Sequence, residues 1–410
     1  MHKHSGSARL GLLVVVAALV VAIALVSNQR REVDQGQVSL GRTAESTGVT
    51  DAAQQSLTAY WTAEMPKVYD QQFARLAGGY QAKTPQSAPF SCGGQRQTYE
   101  DLAGNAFYCG GGQDDYIAWD AAELFPRLVE QFGSVAPAIV LAHETGHAVQ
   151  ARAGVDAPSV VRELQADCFA GSWTHYAETS EADAVELTDG ALDSAVATIL
   201  TLRDQPGTAA AAQQAHGLGF DRVNAFQTGY EQGATKCAQF PRQGVVTTEL
   251  PFRTVSESQS GGNLPYAEAV DVLTRTLNAF WTSTLPQLQP GRTFTPPPTV
   301  DRLTPELQAA HEQIGDLATG TLLSQAWAQA AQGELGLPAT GEQAVVQRDC
   351  FTGAWLAYLA GSDLESSQLS PGDLDEALAE VVTSSFHNGG AFARTKSLRT
   401  GLFENAKACL

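Results

Sequence analysis

The stretch IVLAHETGHAVQARAG, Ile139 to Gly154, decides the reading of this chain. Apolar residues lead into HETGH and a glycine follows, the pattern of a buried helix with its stop signal. On an α-helix His143 and His147 lie one turn apart, so both imidazoles project from one face toward a common point. Two neutral imidazoles suit Zn2+, and a carboxylate as third protein ligand leaves a fourth position for water. Glu144, beside the first histidine, can take a proton from that water. The competing reading is two solvated or core histidines on an ordinary helix. An apolar helix has no packing use for three polar residues on one side, which weighs against it.

The third ligand is expected on the next helix, VVRELQADCFAGSW (Val160 to Trp173), which starts after Pro158. Glu163 and Asp167 are four apart and share a face. Glu163 fits as the zinc carboxylate. Asp167 fits as acceptor for the free N–H of a ligating histidine, fixing its tautomer. Against this stands the reading that either carboxylate caps or solvates its helix.

Further outward, the chain repeats itself. LTAYWTAEMP (Leu57 to Pro66) matches LNAFWTSTLP (Leu277 to Pro286), and LQADCFAGSW (Leu164 to Trp173) matches VQRDCFTGAW (Val346 to Trp355) at an offset of 182. Arg222 and Cys237 correspond to Arg394 and Cys409, both pairs 15 apart. The repeat orders the six cysteines. Cys168 with Cys237 mirrors Cys350 with Cys409, leaving Cys92 with Cys109 as a pair private to copy one. Copy two is shorter: Trp61 to His143 spans 82 residues, whereas Trp281 to Gln325 spans 44.

Leu57, Tyr60, Trp61 and Met65, like Leu277, Phe280 and Trp281, recur at helical spacing, and helices are expected over 187–202 and 220–236. Strands are expected around FYCGGGQDDYIAWD, Phe107 to Asp120. The fold class is therefore mainly α, with a small α+β element. The segments are 1–31, an N-terminal signal anchor; 32–50, a linker; 51–240, copy one; 241–264, a second linker; and 265–410, copy two.

HETGH followed by ELQADCFAG resembles the neutral zinc metallopeptidase family of bacteria, an HExxH…E gluzincin-type group. The likeness extends to FYC…YIAWD and to AHGLGFDRVNAFQTGYEQG, Ala215 to Gly233. It covers copy one nearly end to end. The resemblance implies a zincin-like domain, with YIAWD as an edge strand lining the substrate cleft and one Zn2+ per chain. It also implies peptide-bond hydrolysis, with Glu144 as general base. His216, in the AHG of copy one, is the resemblance's candidate for stabilising the oxyanion; the competing reading is a structural histidine at a helix start.

In copy two Gln325, Ala326, Gln329 and Val345 stand where His143, Glu144, His147 and Glu163 stand in copy one. Every ligand and the base are absent together, so copy two is expected to be a degenerate, pseudo-catalytic repeat that packs on copy one or binds a protein partner.

The 17-residue uncharged run Leu10 to Val26, preceded by Lys3 and Arg9, is expected to be an uncleaved single-pass anchor with the body outside the cytoplasm. The alternative is a cleaved signal and a secreted body. Six cysteines in 410 residues agree with export. A formal charge of −19 argues against nucleic acid or anionic lipid as the main partner, and a peptide or protein substrate is what the family resemblance implies. The contrasting function class is a non-catalytic, zinc-containing binding or scaffold protein of the cell envelope. Glu144 separates the two, because structural zinc sites are closed by four protein ligands and need no base.

Overall fold

The structure is a computed structural model that describes residues 38–410, apart from 112–113, 181–184, 186, 188–189, 209–214, 246, 249, 298–303, 362–367 and 386–389. The expected anchor, Leu10 to Val26, lies outside the described residues, and among those described no helix is long and apolar enough to cross a membrane. The fold is mainly helical with two small sheets, and it divides into two compact units. Unit A ends at residue 247; unit B comprises 248–410 with the short segment 205–209.

Unit A runs α1 (Val38–Tyr69), β1 (Gly79–Lys83), β2 (Phe90–Cys92), β3 (Gln95–Gln97), α2 (Tyr99–Leu102), β4 (Ala106–Gly111), β5 (Asp114–Asp120), α3 (Leu124–Phe132), α4 (Ala136–Ala153), α5 (Ser159–Thr179), α6 (Ala191–Thr201), α7 (Gly219–Cys237) and α8 (Phe240–Gln243). Part of the expected first linker, 38–50, is the opening of α1. No proline interrupts it before Pro66, and Leu57, Tyr60, Trp61 and Met65 are all buried along one stripe. The helix expected over 187–202 is described over Ala191–Thr201, with Gly190 at its N-cap in the left-handed region that glycine tolerates.

One expectation is corrected. YIAWD is the central strand of the three-stranded sheet, not an edge: the order is β1-β5-β4, with β1 parallel and β4 antiparallel to β5. Residues 116–120 are all buried, as a strand paired on both sides requires. The edge near the chemistry is β4, and the Cys92–Cys109 disulfide ties it to the β2–β3 hairpin.

Unit B runs α9 (Val255–Gln259), α10 (Tyr266–Leu288), α11 (Pro305–Gln313), α12 (Asp316–Leu335), α13 (Glu342–Ala360), α14 (Asp373–Ser385) and α15 (Ala391–Glu404), and it holds no strand among its described residues. α9 falls within the expected second linker.

The same contacts occur in both units at matching sequence positions. α5 and α7 touch backbone to backbone at Gly171 and Gly229, where an added Cβ would overlap the carbonyl oxygens of Phe226 and Cys168. α13 and α15 do the same at Gly353 and Gly401, against Leu398 and Cys350. Disulfides Cys168–Cys237 and Cys350–Cys409 close the two pairs. Trp173 donates to Ser56 (2.8 Å) and Trp355 to Thr276 (3.3 Å). Gln165 and Gln347 donate to the carbonyls of Cys237 and Cys409, at 3.0 and 2.8 Å.

Candidate metal centre

α4 owes its form to Pro137 in its first turn and to an unbroken Ala/Ile/Val/Leu run, with Gly154 ending it. It crosses α5 where Gly146 faces Ala166: a Cβ on Gly146 would lie 2.9 Å from the Ala166 Cα. That close crossing brings the His143–His147 face onto Glu163.

His143 Nε2 and His147 Nε2 are 3.1 Å apart. Glu163 Oε2 lies 3.3 Å from the first and Glu163 Oε1 3.4 Å from the second. A tetrahedral zinc with arms of about 2.0–2.1 Å separates its ligands by about 3.3 Å, so this donor set fits the ion. The outer nitrogens are both engaged. His143 Nδ1 pairs with Asp167 Oδ1 at 2.8 Å, and His147 Nδ1 with Gln150 Oε1 at 3.0 Å. Both pairings hold the proton on Nδ1 and leave Nε2 as the ligand atom.

Asp167 is held in turn by Arg222, whose Nε and Nη2 donate to its two oxygens at 2.7 and 2.9 Å. Arg222 is itself buried and also donates to the Leu202 carbonyl. Gln150 is fixed by donating to the Arg162 carbonyl at 2.6 Å.

Glu144 accepts the backbone N–H of Tyr108, on edge strand β4, at 2.8 Å. Burial pushes its carboxyl up from the ordinary value, more than the histidines beside it hold it down. A carboxylate so raised is a better proton acceptor near neutrality. Burial also opposes charge on His143, but without an ion Asp167 and Glu163 outweigh it and raise the imidazole to about 10, so a metal binding there must displace the Nε2 proton. Asp167 moves down despite its burial, held there by Arg222 and His143.

His216 is not part of the His143–His147–Glu163 cluster. Asp204 accepts its backbone N–H (2.6 Å) and that of Gly217 (2.8 Å), and pairs with the ring Nδ1 at 3.2 Å, leaving the side chain 47% exposed. The Gly217 loop lies over Val160 and Leu164 on α5, and beside Arg222.

Sequence reasoning assigned no role to Gln150, Tyr108, Asp204 or Arg222. Arg222 had left a signal, since it matches Arg394 across the repeat. Gln150 had one too: Gln332 lies 182 residues on and donates to the Ala344 carbonyl at 3.0 Å, as Gln150 does to Arg162.

In unit B the corresponding place holds a polar network. Gln325 donates to Asp349 at 3.0 Å, Arg394 donates to both Asp349 oxygens, and Arg348 donates to Gln325 at 3.1 Å. The first two bonds reproduce Asp167 between His143 and Arg222, with a glutamine in the histidine's place.

Comparison with known proteins agrees with this geometry. The model of a family described as "Putative neutral zinc metallopeptidase" matches residues 2–240. Uncharacterized proteins of Mycobacterium tuberculosis and Mycobacterium bovis are each 34% identical to the chain over 154 residues, which is 31% of this chain and 52% of theirs. The chain thus spans about half the length of the curated relatives it matches. No solved structure matches it at a significant level.

Proposed function

Since the chain belongs to the neutral zinc metallopeptidase family, we propose that unit A hydrolyses peptide bonds at one zinc held by His143, His147 and Glu163. The observation that carries this reading is the convergence of two Nε2 atoms and one carboxylate at tetrahedral spacing, with Glu144 adjacent and pushed toward proton acceptance. Zinc, when bound there, supplies Lewis acidity toward water and the scissile carbonyl. Glu144 takes the proton of the attacking water and returns it to the leaving amine. Asp167 and Gln150 keep the two imidazoles in the ligating tautomer, and Arg222 keeps Asp167 ionised.

We assign edge strand β4 the role expected of YIAWD, lining the cleft beside Glu144. His216, on a loop over the Glu163 helix, is the proposed oxyanion donor. Its exposure leaves the ring free to meet a substrate.

Unit B is proposed to descend from the same zincin-like domain and to have lost its ligands. The paired disulfides, glycine contacts and Asp–Arg bonds support that descent, and protein-partner binding is its proposed role. The body is proposed to lie outside the cytoplasm, anchored through Leu10 to Val26, because three disulfides suit an oxidising compartment.

The test compares wild type with Glu144→Gln on an unstructured protein substrate, with zinc content measured in parallel. One zinc in both and cleavage by wild type alone supports the reading. One zinc in both and no cleavage by either turns it toward a binding protein, and two tight zinc sites would overturn the assignment of unit B.

A further inference from the structure

Unit B carries a second cluster of ligating side chains, unrelated to the histidine site. Asp316 opens α12, and Asp373 and Glu376 lie in the first turn of α14. All three are buried, and one carboxylate oxygen from each lies within 4.8 Å of the others. Two oxygens bound to one Ca2+ at about 2.4 Å are at most about 4.8 Å apart, so the spacing admits a shared ion.

The cluster is built rather than incidental. Asp316 Oδ2 accepts the Leu264 N–H at 2.8 Å, Asp373 Oδ2 the Ser370 N–H at 2.6 Å, and Glu376 Oε2 the Leu317 N–H at 3.0 Å. Asn263 bridges two of them, donating to Glu376 Oε1 at 3.2 Å and accepting the Asp316 N–H at 2.5 Å. Gly315 makes room, since a Cβ there would overlap the Glu376 carboxylate. Asp316 and Asp373 lie in the wall of a cavity of about 740 Å3, which gives water and ions a route in.

The decisive observation is Asp316 Oδ1. The residue is only 4% exposed, and this oxygen has no hydrogen-bond partner among the described residues. A buried, unsatisfied carboxylate oxygen is costly, and here it belongs to a group of like charges. Burial and then the neighbouring Asp316 and Glu376 drive the Asp373 carboxyl well up. Such a cluster must take up either protons or a cation. Arg253, which acts on Asp373 only at a distance, donates to Glu257 at 2.8 Å, and His311 pairs with the Leu264 carbonyl at 2.8 Å.

We propose that unit B binds one hard divalent cation, Ca2+, through Asp316, Asp373 and Glu376, with water from the cavity completing its shell. An all-oxygen donor set suits Ca2+ better than Zn2+. A flexible carboxylate cage also suits Ca2+ better than Mg2+, which demands near-ideal octahedral geometry. The site is independent of the peptidase reading, so either can fail alone.

The experiment titrates Ca2+ into the full chain carrying its zinc, by calorimetry and by thermal unfolding near neutral pH. One Ca2+ per chain is expected, with a dissociation constant of about 10⁻⁴–10⁻³ M, and Mg2+ weaker by about tenfold or more. Saturating Ca2+ should raise the melting temperature of wild type by several degrees. Asp316→Asn should melt higher than wild type without Ca2+, because repulsion is relieved, and should lose the Ca2+ response. Glu376→Gln gives the same reading should the first variant fail to fold. No binding by wild type up to about 10 mM Ca2+ would overturn the proposal. So would an undiminished response in either variant.

Discussion

Asp167 joins two functions that unit B separates. In unit A it accepts from His143 and from Arg222; in unit B Asp349 accepts from Gln325 and Arg394, where no metal ligand remains. The Asp–Arg pair is therefore a helix-to-helix fastening found in both units, with a histidine beside it in one and a glutamine in the other. Replacing Asp167 leaves the buried Arg222 guanidinium without its charge partner, which typically costs about 3–5 kcal/mol. Asp167→Asn should lower stability by that order in chemical denaturation, and Asp349→Asn by less, because burial already disfavours charge on Asp349. Only Asp167→Asn should weaken zinc, by about 10–100-fold, because only there does the carboxylate orient a ligating imidazole. Equal zinc affinity in the two variants would contradict the role given to Asp167. Glu144→Gln, in contrast, should keep the fold and the zinc yet lose about 10²–10⁴ in kcat.

Among the elements, the crossing of α4 and α5 sets the ligand geometry, and Gly146 sets the crossing. A methyl there falls 2.9 Å from the Ala166 Cα and 3.2 Å from its carbonyl oxygen, so the helices must part. Gly146→Ala gains up to about 1 kcal/mol of helix propensity but meets overpacking of about 1–3 kcal/mol. It should shift Glu163 away from the histidines and lower zinc affinity. Gly333→Ala, on the exposed face of α12 with nothing within 4 Å, should raise stability by about 0.5–1 kcal/mol. Zinc titration with denaturant unfolding separates the two outcomes.

This scale also shows what the sequence could and could not disclose. HETGH and ELQAD were legible because one helical turn fixes which side chains share a face. The cysteine pairing was legible because the repeat supplied a second copy of the pattern. β1 and the β2–β3 hairpin were not, since GYQAK, FSC and QRQ carry no clear apolar alternation, and their pairing depends on neighbours distant in the chain. The Tyr108 N–H on Glu144 lay equally out of reach, because backbone donors have no residue-type signature. The central position of YIAWD is hidden for a related reason. A fully buried strand reads the same at the centre of a sheet as at a covered edge.

Across the whole molecule the buried carboxylates, apart from Glu144 at the metal site, which burial raises, sort by unit. In unit A, Asp167 beside Arg222, and Asp120 beneath the backbone N–H groups of Gly104, Ala122 and Glu123, both stay below the ordinary range despite burial. In unit B, burial raises Asp349, and it raises Glu380 to about 8, with Arg394 only partly opposing the latter shift. The signs then follow by linkage. A depressed carboxyl contributes stability that is present above its unfolded value, near 4, and lost as pH falls. A raised carboxyl binds its proton more tightly when folded, so its contribution is present below about 4.5 and is lost as pH climbs toward 8. Unit A should thus weaken toward acid and unit B toward neutral and alkaline pH. Glu380 alone accounts for a change on the order of a few kcal/mol across that window. Glu380→Gln should flatten the pH dependence of unit B between about 4.5 and 8 and leave that of unit A unchanged. Scanning calorimetry of wild type and variant across this range, with unit-specific hydrogen exchange, checks the assignment. If the variant keeps the wild-type slope, Glu380 is not the group that titrates.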